Sequence, residues 1–275
     1  MSSVPHEVAL AGPVRIGAGM RRALLRIGTG ILLLALWEGL VTWLAPSFVA
    51  RPSGIARVLP DVLAQRNVPP GTPKFWGAAG VTVLAAFEGL LIGLALGVLV
   101  GLTMGRLRTV DRLLRFYVSA FFAMPIIALV PVMTLWFGYT GTVRLVIVSL
   151  GAFLPVCLQV YDGTRRLPAS YVEVAQSYHA RWWNVWFGIA LPASLPYLIA
   201  GFRLAVGRVL VGAVIAEYIV ALKGLGYFIL YDARTFHQNQ MMVAVLFLAL
   251  LGVAINAAAD HATRRFLPWY RRSNG

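Results

Sequence analysis

Hydrophobic residues in this chain come in long runs, and the polar residues are gathered into the gaps between them. Six runs are long enough, or nearly so, to cross roughly 30 Å of hydrocarbon as helices. They lie near Ile27–Ala45, Ala78–Leu102, Tyr117–Phe137, Val143–Tyr161, Ser194–Val220 and Met241–Asp260. The pattern predicts an all-α integral membrane protein with about six transmembrane helices. It divides the chain into a basic N-tail at 1–26, a membrane domain at 27–260 and a basic C-tail at 261–275. A cleaved secretory signal is the other reading of the first run. The 26 residues before that run and the poor cleavage site Phe48-Val49-Ala50 count against it.

The gaps are informative too. Between Pro46 and Gly77, residues Ile55, Val58, Leu59, Val62 and Leu63 share one helical face, which predicts a short interfacial helix interrupted at Pro60. The segment Ala221–Gln240 mixes Gly224 and Gly226 with Tyr227, Phe228 and Tyr231, and reads as a partly buried lip. The loop Asp162–Ala193 is long and polar. It predicts two short helices, Pro168–Tyr178 and Trp182–Ala190, the second rich in aromatics and stopped at Pro192.

Composition supports lipid as the solvent. Hydrophobic residues make up 59% of the chain and charged residues 12%, with a mean hydropathy of +0.77. A soluble domain carries about twice that charge fraction. The net charge of +14 suits either nucleic acid or a membrane surface. Here the cations cluster between apolar runs, so membrane lipid is the expected partner and nucleic acid is not. Basic residues also set orientation. Fifteen arginines fall in the tails, around Arg106–Arg115, and at Arg165, Arg166 and Arg181, against seven Lys and Arg in the alternate gaps. Both termini and Asp162–Ala193 are therefore expected in the cytoplasm.

Within the runs, Gly89, Gly93, Gly97, Gly101 and Gly105 recur every four residues, a face on which another helix can approach closely. Pro125 and Pro131 interrupt the third run and free backbone carbonyls. Ionisable groups inside hydrocarbon need partners. Glu38 and Glu88 are expected to find structural ones. Arg203, Arg208 and Glu217 on the fifth run take partners from other helices, from a second subunit or from cargo. Pro125 and Pro131 either kink the helix for packing or free carbonyls for a ligand. All five are candidates to line a translocation pathway. Arg203 and Glu217 are about 21 Å apart along one helix, so they cannot pair with each other.

No phosphate-binding loop, zinc-protease motif or nucleophile elbow occurs, and His6, His179, His237 and His261 lack metal-ligand spacing. Cys157 stands alone, which rules out an intrachain disulfide and a cysteine zinc site. No catalytic residue, metal site or cofactor is predicted for this chain. Energy for active transport must come from a partner or an ion gradient.

The residues of the long loop carry a specific likeness. Glu173-Val174-Ala175, then His179, then Ile189-Ala190-Leu191-Pro192 resemble, with matched spacing, the ATPase-coupling motif of ABC importer permeases. Phe121–Gly138 and Leu191–Tyr218 are similar to the subgroup serving nitrate, sulfonate, taurine and bicarbonate. Two positions depart from the motif: Val174 replaces an alanine and His179 a glycine. Histidine adopts φ > 0 only uncommonly, so the turn is expected to be reshaped, with docking retained.

The resemblance implies a type I ABC importer (MetI-like) architecture, and a permease subunit that is not itself an enzyme. It implies a second permease copy (a homodimer), cytoplasmic ABC ATPase subunits carrying ATP and Mg, and an extracytoplasmic solute-binding protein. Glu173 would meet basic ATPase groups, Ala175 would allow close approach, and Ile189 and Leu191 would anchor the second helix. The implied cargo is a small anion of the sulfonate, nitrate or taurine kind. The same class also serves pyrimidine-type vitamin precursors and aromatic acids. An ion-coupled secondary transporter would need no helix-pair loop, and a membrane-embedded enzyme would need a catalytic cluster that the sequence lacks.

Overall fold

A computed structural model describes residues 18–44, 49–66 and 73–266, and they are almost wholly helical. The outer parts of both expected tails, 1–17 and 267–275, lie outside the described residues, as do Ala45 and Phe48. The helices are α1 (Ala18–Leu44), α2 (Pro52–Ala64), α3 (Phe75–Arg106), α4 (Arg108–Ala123), α5 (Leu129–Phe137) and α6 (Gly141–Arg165). They continue with α7 (Ala169–Ser177), α8 (Trp182–Val185), α9 (Leu191–Val220), α10 (Leu225–Arg234) and α11 (Gln238–Phe266). Five helices are long and apolar enough to cross a membrane, and α4 with α5 makes a sixth if the bent pair counts as one.

The centre of the bundle is α6, packed between α3 and α9. Its register with α3 follows from two four-residue repeats. Gly89, Gly93, Gly97, Gly101 and Gly105 lie against Val148, Ala152, Val156, Val160 and Thr164 in turn, so a glycine groove receives a ridge of small side chains. Both series run in the same direction, so the helices are parallel. A Cβ added at Gly101 would stand 2.6 Å from the carbonyl oxygen of Cys157, and one at Gly97 would stand 2.8 Å from the Cβ of Val156. The glycine face predicted from sequence is thus a close-packing face, and α6 supplies the half that the sequence did not announce.

Three expectations change. The third run is not one continuous helix: α4 ends at Ala123, Pro125 precedes a 3-10 turn at Ile126–Ala128, and the two halves meet at 90°. Pro131 does not interrupt the second half. It sits in the first turn of α5, where a missing N–H costs no helical bond. Nor does Pro192 stop a helix, since the chain stays helical from Trp182 to Val220. A π turn at Trp186–Ala190 shifts the carbonyl ladder just before the proline and accommodates its ring.

The polar gaps hold the expected helices, with one further change: Pro60 does not interrupt the first of them. The helix predicted on Ile55–Leu63 is α2, which continues through Pro60 and buries Ile55 and Val62. Glu38 of α1 accepts hydrogen bonds at its start from the Ser53 N–H (3.0 Å) and hydroxyl (2.7 Å). The lip holds α10, with Leu225, Phe228 and Leu230 buried.

Candidate coupling surface and translocation cavity

The helix pair at one end of the bundle is built to present side chains. After α6 the chain turns through Arg166 and Leu167 into α7, which makes only marginal contact with the other helices. The α7 helix ends in a left-handed residue, and that residue is His179 itself, at φ 51°. The Ala180 N–H closes on the Ala175 carbonyl at 2.9 Å, the bond usually completed by a glycine cap. The turn is therefore not reshaped. Histidine takes the glycine conformation, and the cap bond offsets the steric cost.

Arg181 then starts α8 in extended conformation, its guanidinium 3.9 Å from the Trp183 ring centroid. Tyr171, Val174, Tyr178, Trp182 and Phe187 are all more than half exposed along this hairpin. Glu173 is exposed beside them, as is Pro192, while Ala175 is half-buried. Below the exposed rim, Ala190 is fully buried, and Trp186 and Leu191 pack on the main core. Ile189 is half-buried but outside that cluster. The anchor thus includes Trp186 and Ala190, whose four-residue spacing was available in the sequence as a signal.

Where the hairpin leaves the bundle, α4 and α6 are tied together. Arg115 donates to Asp111 at 2.9 Å, Arg165 donates to the Tyr161 hydroxyl at 2.6 Å, and both guanidinium groups lie over the Tyr161 ring.

A cavity of about 420 Å³ opens at the break between α4 and α5. Phe122, Met124, Pro125, Ile147 and Arg208 are among its lining residues. Arg208 is half-buried, its guanidinium 4.1 Å from the Phe122 ring centroid, and no carboxylate among the described residues is within ion-pair distance. The cavity joins two of the sequence-predicted pathway residues, Pro125 and Arg208. It does not include the others. Pro131 lies in α5 outside the lining. Arg203 is ion-paired with Asp260 of α11, a partner that no local signal marked.

Glu217 lies at the lip end and is fully buried. It accepts hydrogen bonds from Arg144 (3.0 Å), the Thr82 hydroxyl (2.7 Å) and the Gly226 N–H (3.0 Å). Thr82 also accepts from the Leu225 N–H at 2.8 Å. Glu217 therefore joins α3, α6, α9 and α10. Nothing local in the sequence marks Arg144 or Thr82 as its partners, because only the fold brings either to Glu217. Glu88 is exposed on α3 without an ion-pair partner among the described residues, so a structural partner for it has to come from outside them.

The family model described as binding-protein-dependent transport system inner membrane component matches residues 89–272. The chain belongs to that family. The permease is 29% identical over 203 residues to a putative aliphatic sulfonates transport permease of Bacillus subtilis (strain 168), covering 74% of this chain and 73% of that one. It is 26% identical over 254 residues to the taurine transport system permease of Escherichia coli (strain K12), covering 91% of each. To a formylaminopyrimidine transport permease of Halalkalibacterium halodurans it is 27% identical over 244 residues, covering 88% and 94%. Among solved structures it resembles a chain of the MetNI methionine ABC transporter in inward facing conformations. The TM-score is 0.55 at 21% identity, with 69% of this chain and 93% of that one covered. That likeness is one of fold, and it bears out the MetI-like architecture. The permease is a multi-pass membrane subunit of a binding-protein-dependent ABC importer.

Proposed function

We propose that the permease conducts a small oxyanion of the sulfonate, nitrate or taurine kind, with Arg208 as the cargo-facing cation. The observation that carries this is the unneutralised Arg208 in the cavity beside Pro125, where burial strengthens its attraction for an anion. Two of the named relatives, for aliphatic sulfonates and for taurine, support the same chemistry. Arg203, balanced by Asp260, and Glu217, enclosed in the lip, have structural roles in this reading.

Two copies of the permease work together, and Glu88 faces outward from one copy toward the other or toward the pathway between them. Separate ATPase subunits, which carry ATP and Mg, dock on Glu173, Val174, Ala175 and the exposed aromatics of the α7–α8 hairpin. The hairpin and both termini then face the cytoplasm, a reading the arginine distribution supports, and the solute-binding protein approaches the lip. ATP-driven closure of the ATPases would move the hairpin and, through the unbroken helix Trp182–Val220, the lip 39 residues away.

The test is uptake by vesicles holding the permease with its ATPase and binding protein. Taurine or an alkanesulfonate is expected to accumulate with ATP, and Arg208→Gln is expected to lower the rate at least about ten-fold, the loss of one charge-assisted contact. Accumulation of a neutral pyrimidine instead, unaffected by Arg208→Gln, would overturn the anion reading.

A further inference from the structure

A second cavity, of about 510 Å³, lies at the lip end between the start of α3 and the start of α10. Pro73, Lys74 and Gly77 form part of one wall, and Lys223 and Tyr227 form part of the other. Of the 24 basic residues in the chain, only Lys74 and Lys223 are lysines. The fold brings these two, 149 positions apart, to one cavity. Both are exposed, and neither has a carboxylate within ion-pair distance among the described residues.

The acid behind this wall does not neutralise them. Glu217 packs against Gly224, but its oxygens are taken up by Arg144, Thr82 and the Gly226 N–H. Arg144 also donates to the Lys223 carbonyl at 3.3 Å and so fixes the backbone from which Lys223 projects. On the other side Lys74 begins α3 without its side chain capping the helix. The positive end of that helix dipole adds to the charge of the two ammonium groups.

We propose that this cavity is an oxyanion site, with Lys74 and Lys223 gripping a phosphate or sulfonate group and the Tyr227 hydroxyl within the same wall as a further donor. Compact ammonium groups on flexible stems suit a tetrahedral oxyanion approached from two sides. The anion has two sources, a phospholipid headgroup or a free solute. Trp76, half exposed beside Lys74 with its indole N–H bonded to the Leu63 carbonyl, has the character of an interfacial anchor and brings lipid phosphate within reach.

The experiment uses the full chain purified in anion-free detergent, with two probes. Retention of phosphatidylglycerol is read by native mass spectrometry, and inorganic sulfate is titrated by intrinsic tryptophan fluorescence. Lys74→Gln/Lys223→Gln is expected to weaken at least one probe ten-fold or more, while Lys74→Arg/Lys223→Arg stays within about two-fold, since both variants are exposed and differ in charge. Loss of phosphatidylglycerol alone assigns the site to lipid, and loss of sulfate alone assigns it to free solute. Arg57→Gln, at an exposed cation of α2, should leave both probes unchanged. An equal loss in Arg57→Gln, or undiminished binding of both probes in the double glutamine variant, overturns the site. A double variant that loses only its association with an acidic binding protein overturns it as well and reassigns the lysines to protein docking.

Discussion

The two ends of the long helix Trp182–Val220 are built on opposite principles. At the hairpin end, aromatic and acidic side chains are exposed, and a single strip of buried Ala190 with half-buried Trp186 and Leu191 holds them to the bundle. At the lip end one carboxylate, Glu217, is withdrawn from solvent and satisfied by groups on three other helices. A buried ionic network costs desolvation, and its return is a unique arrangement of the helices around it. An exposed apolar rim costs solubility, and its return is a surface on which another protein can sit. Substitutions at the lip should therefore damage the fold and the transport together, whereas substitutions at the hairpin should damage transport alone.

The sharpest break of this contrast is Glu217→Leu. It leaves Arg144 without its partner, and about 3–5 kcal/mol of stability should be lost. A large fall in melting temperature of the purified permease, with poor recovery from membranes, is the expected result. An unchanged melting temperature would mean that the network does not hold the lip. Glu173→Lys is the counterpart. ATP-dependent uptake should fall to background while insertion and melting temperature stay at wild-type values. Normal uptake by this variant would remove the docking role of the hairpin.

A smaller effect concerns Asp232 of the lip, which is 3% exposed and has one carboxylate oxygen without a hydrogen-bond partner among the described residues. Burial pushes its carboxyl up to about 7. In the unfolded chain the same group titrates near roughly 4. Between those values the folded state holds the extra proton, so stability is greatest at the acid end, falls as pH rises toward 7, and levels off above it. Melting temperature should decline from pH 4 to pH 7 by more than it does in Asp232→Asn, with the gap between the two proteins smallest at the acid end. A parallel pH profile in the variant would release Asp232 from this role.

The least effect is expected at the hairpin turn. His179→Gly removes the cost of a left-handed histidine, a gain of no more than about 1 kcal/mol, and should leave stimulated ATPase activity of the reconstituted complex unaltered. A several-fold rise in that activity would show that the native turn limits coupling.

Much of this was legible in the chain. The spans show because hydrocarbon demands long apolar runs, and the glycine groove because a four-residue repeat is a local pattern. The hairpin shows because its aromatics and motif spacing are contiguous. Three features were misread for local reasons. Local pattern makes Pro192 a stop and Pro131 an interruption, yet a π turn ahead of one and the helix start around the other accommodate them. The break at Pro125 was visible, but its right angle was not, since the angle depends on how α4 and α5 pack on α6. The turn at His179 keeps a left-handed residue, because a backbone hydrogen bond from Ala180 to the Ala175 carbonyl holds it.

The sequence by itself determined the solvent, the spans, the membrane-crossing α-helical class and the aromatic hairpin, since each rests on composition or on neighbours within a few residues. Only the tertiary structure decided which charges are spent. Arg203, Arg208 and Glu217 look alike in an apolar run, but Asp260 balances the first, a clasp from three other helices encloses the third, and Arg208 alone is left facing a cavity. Lys74 and Lys223 likewise became a pair only when α3 and α10 met. The physical reason is range: hydrophobic periodicity is written along one helix, whereas the partner of a buried charge comes from wherever the packing places it.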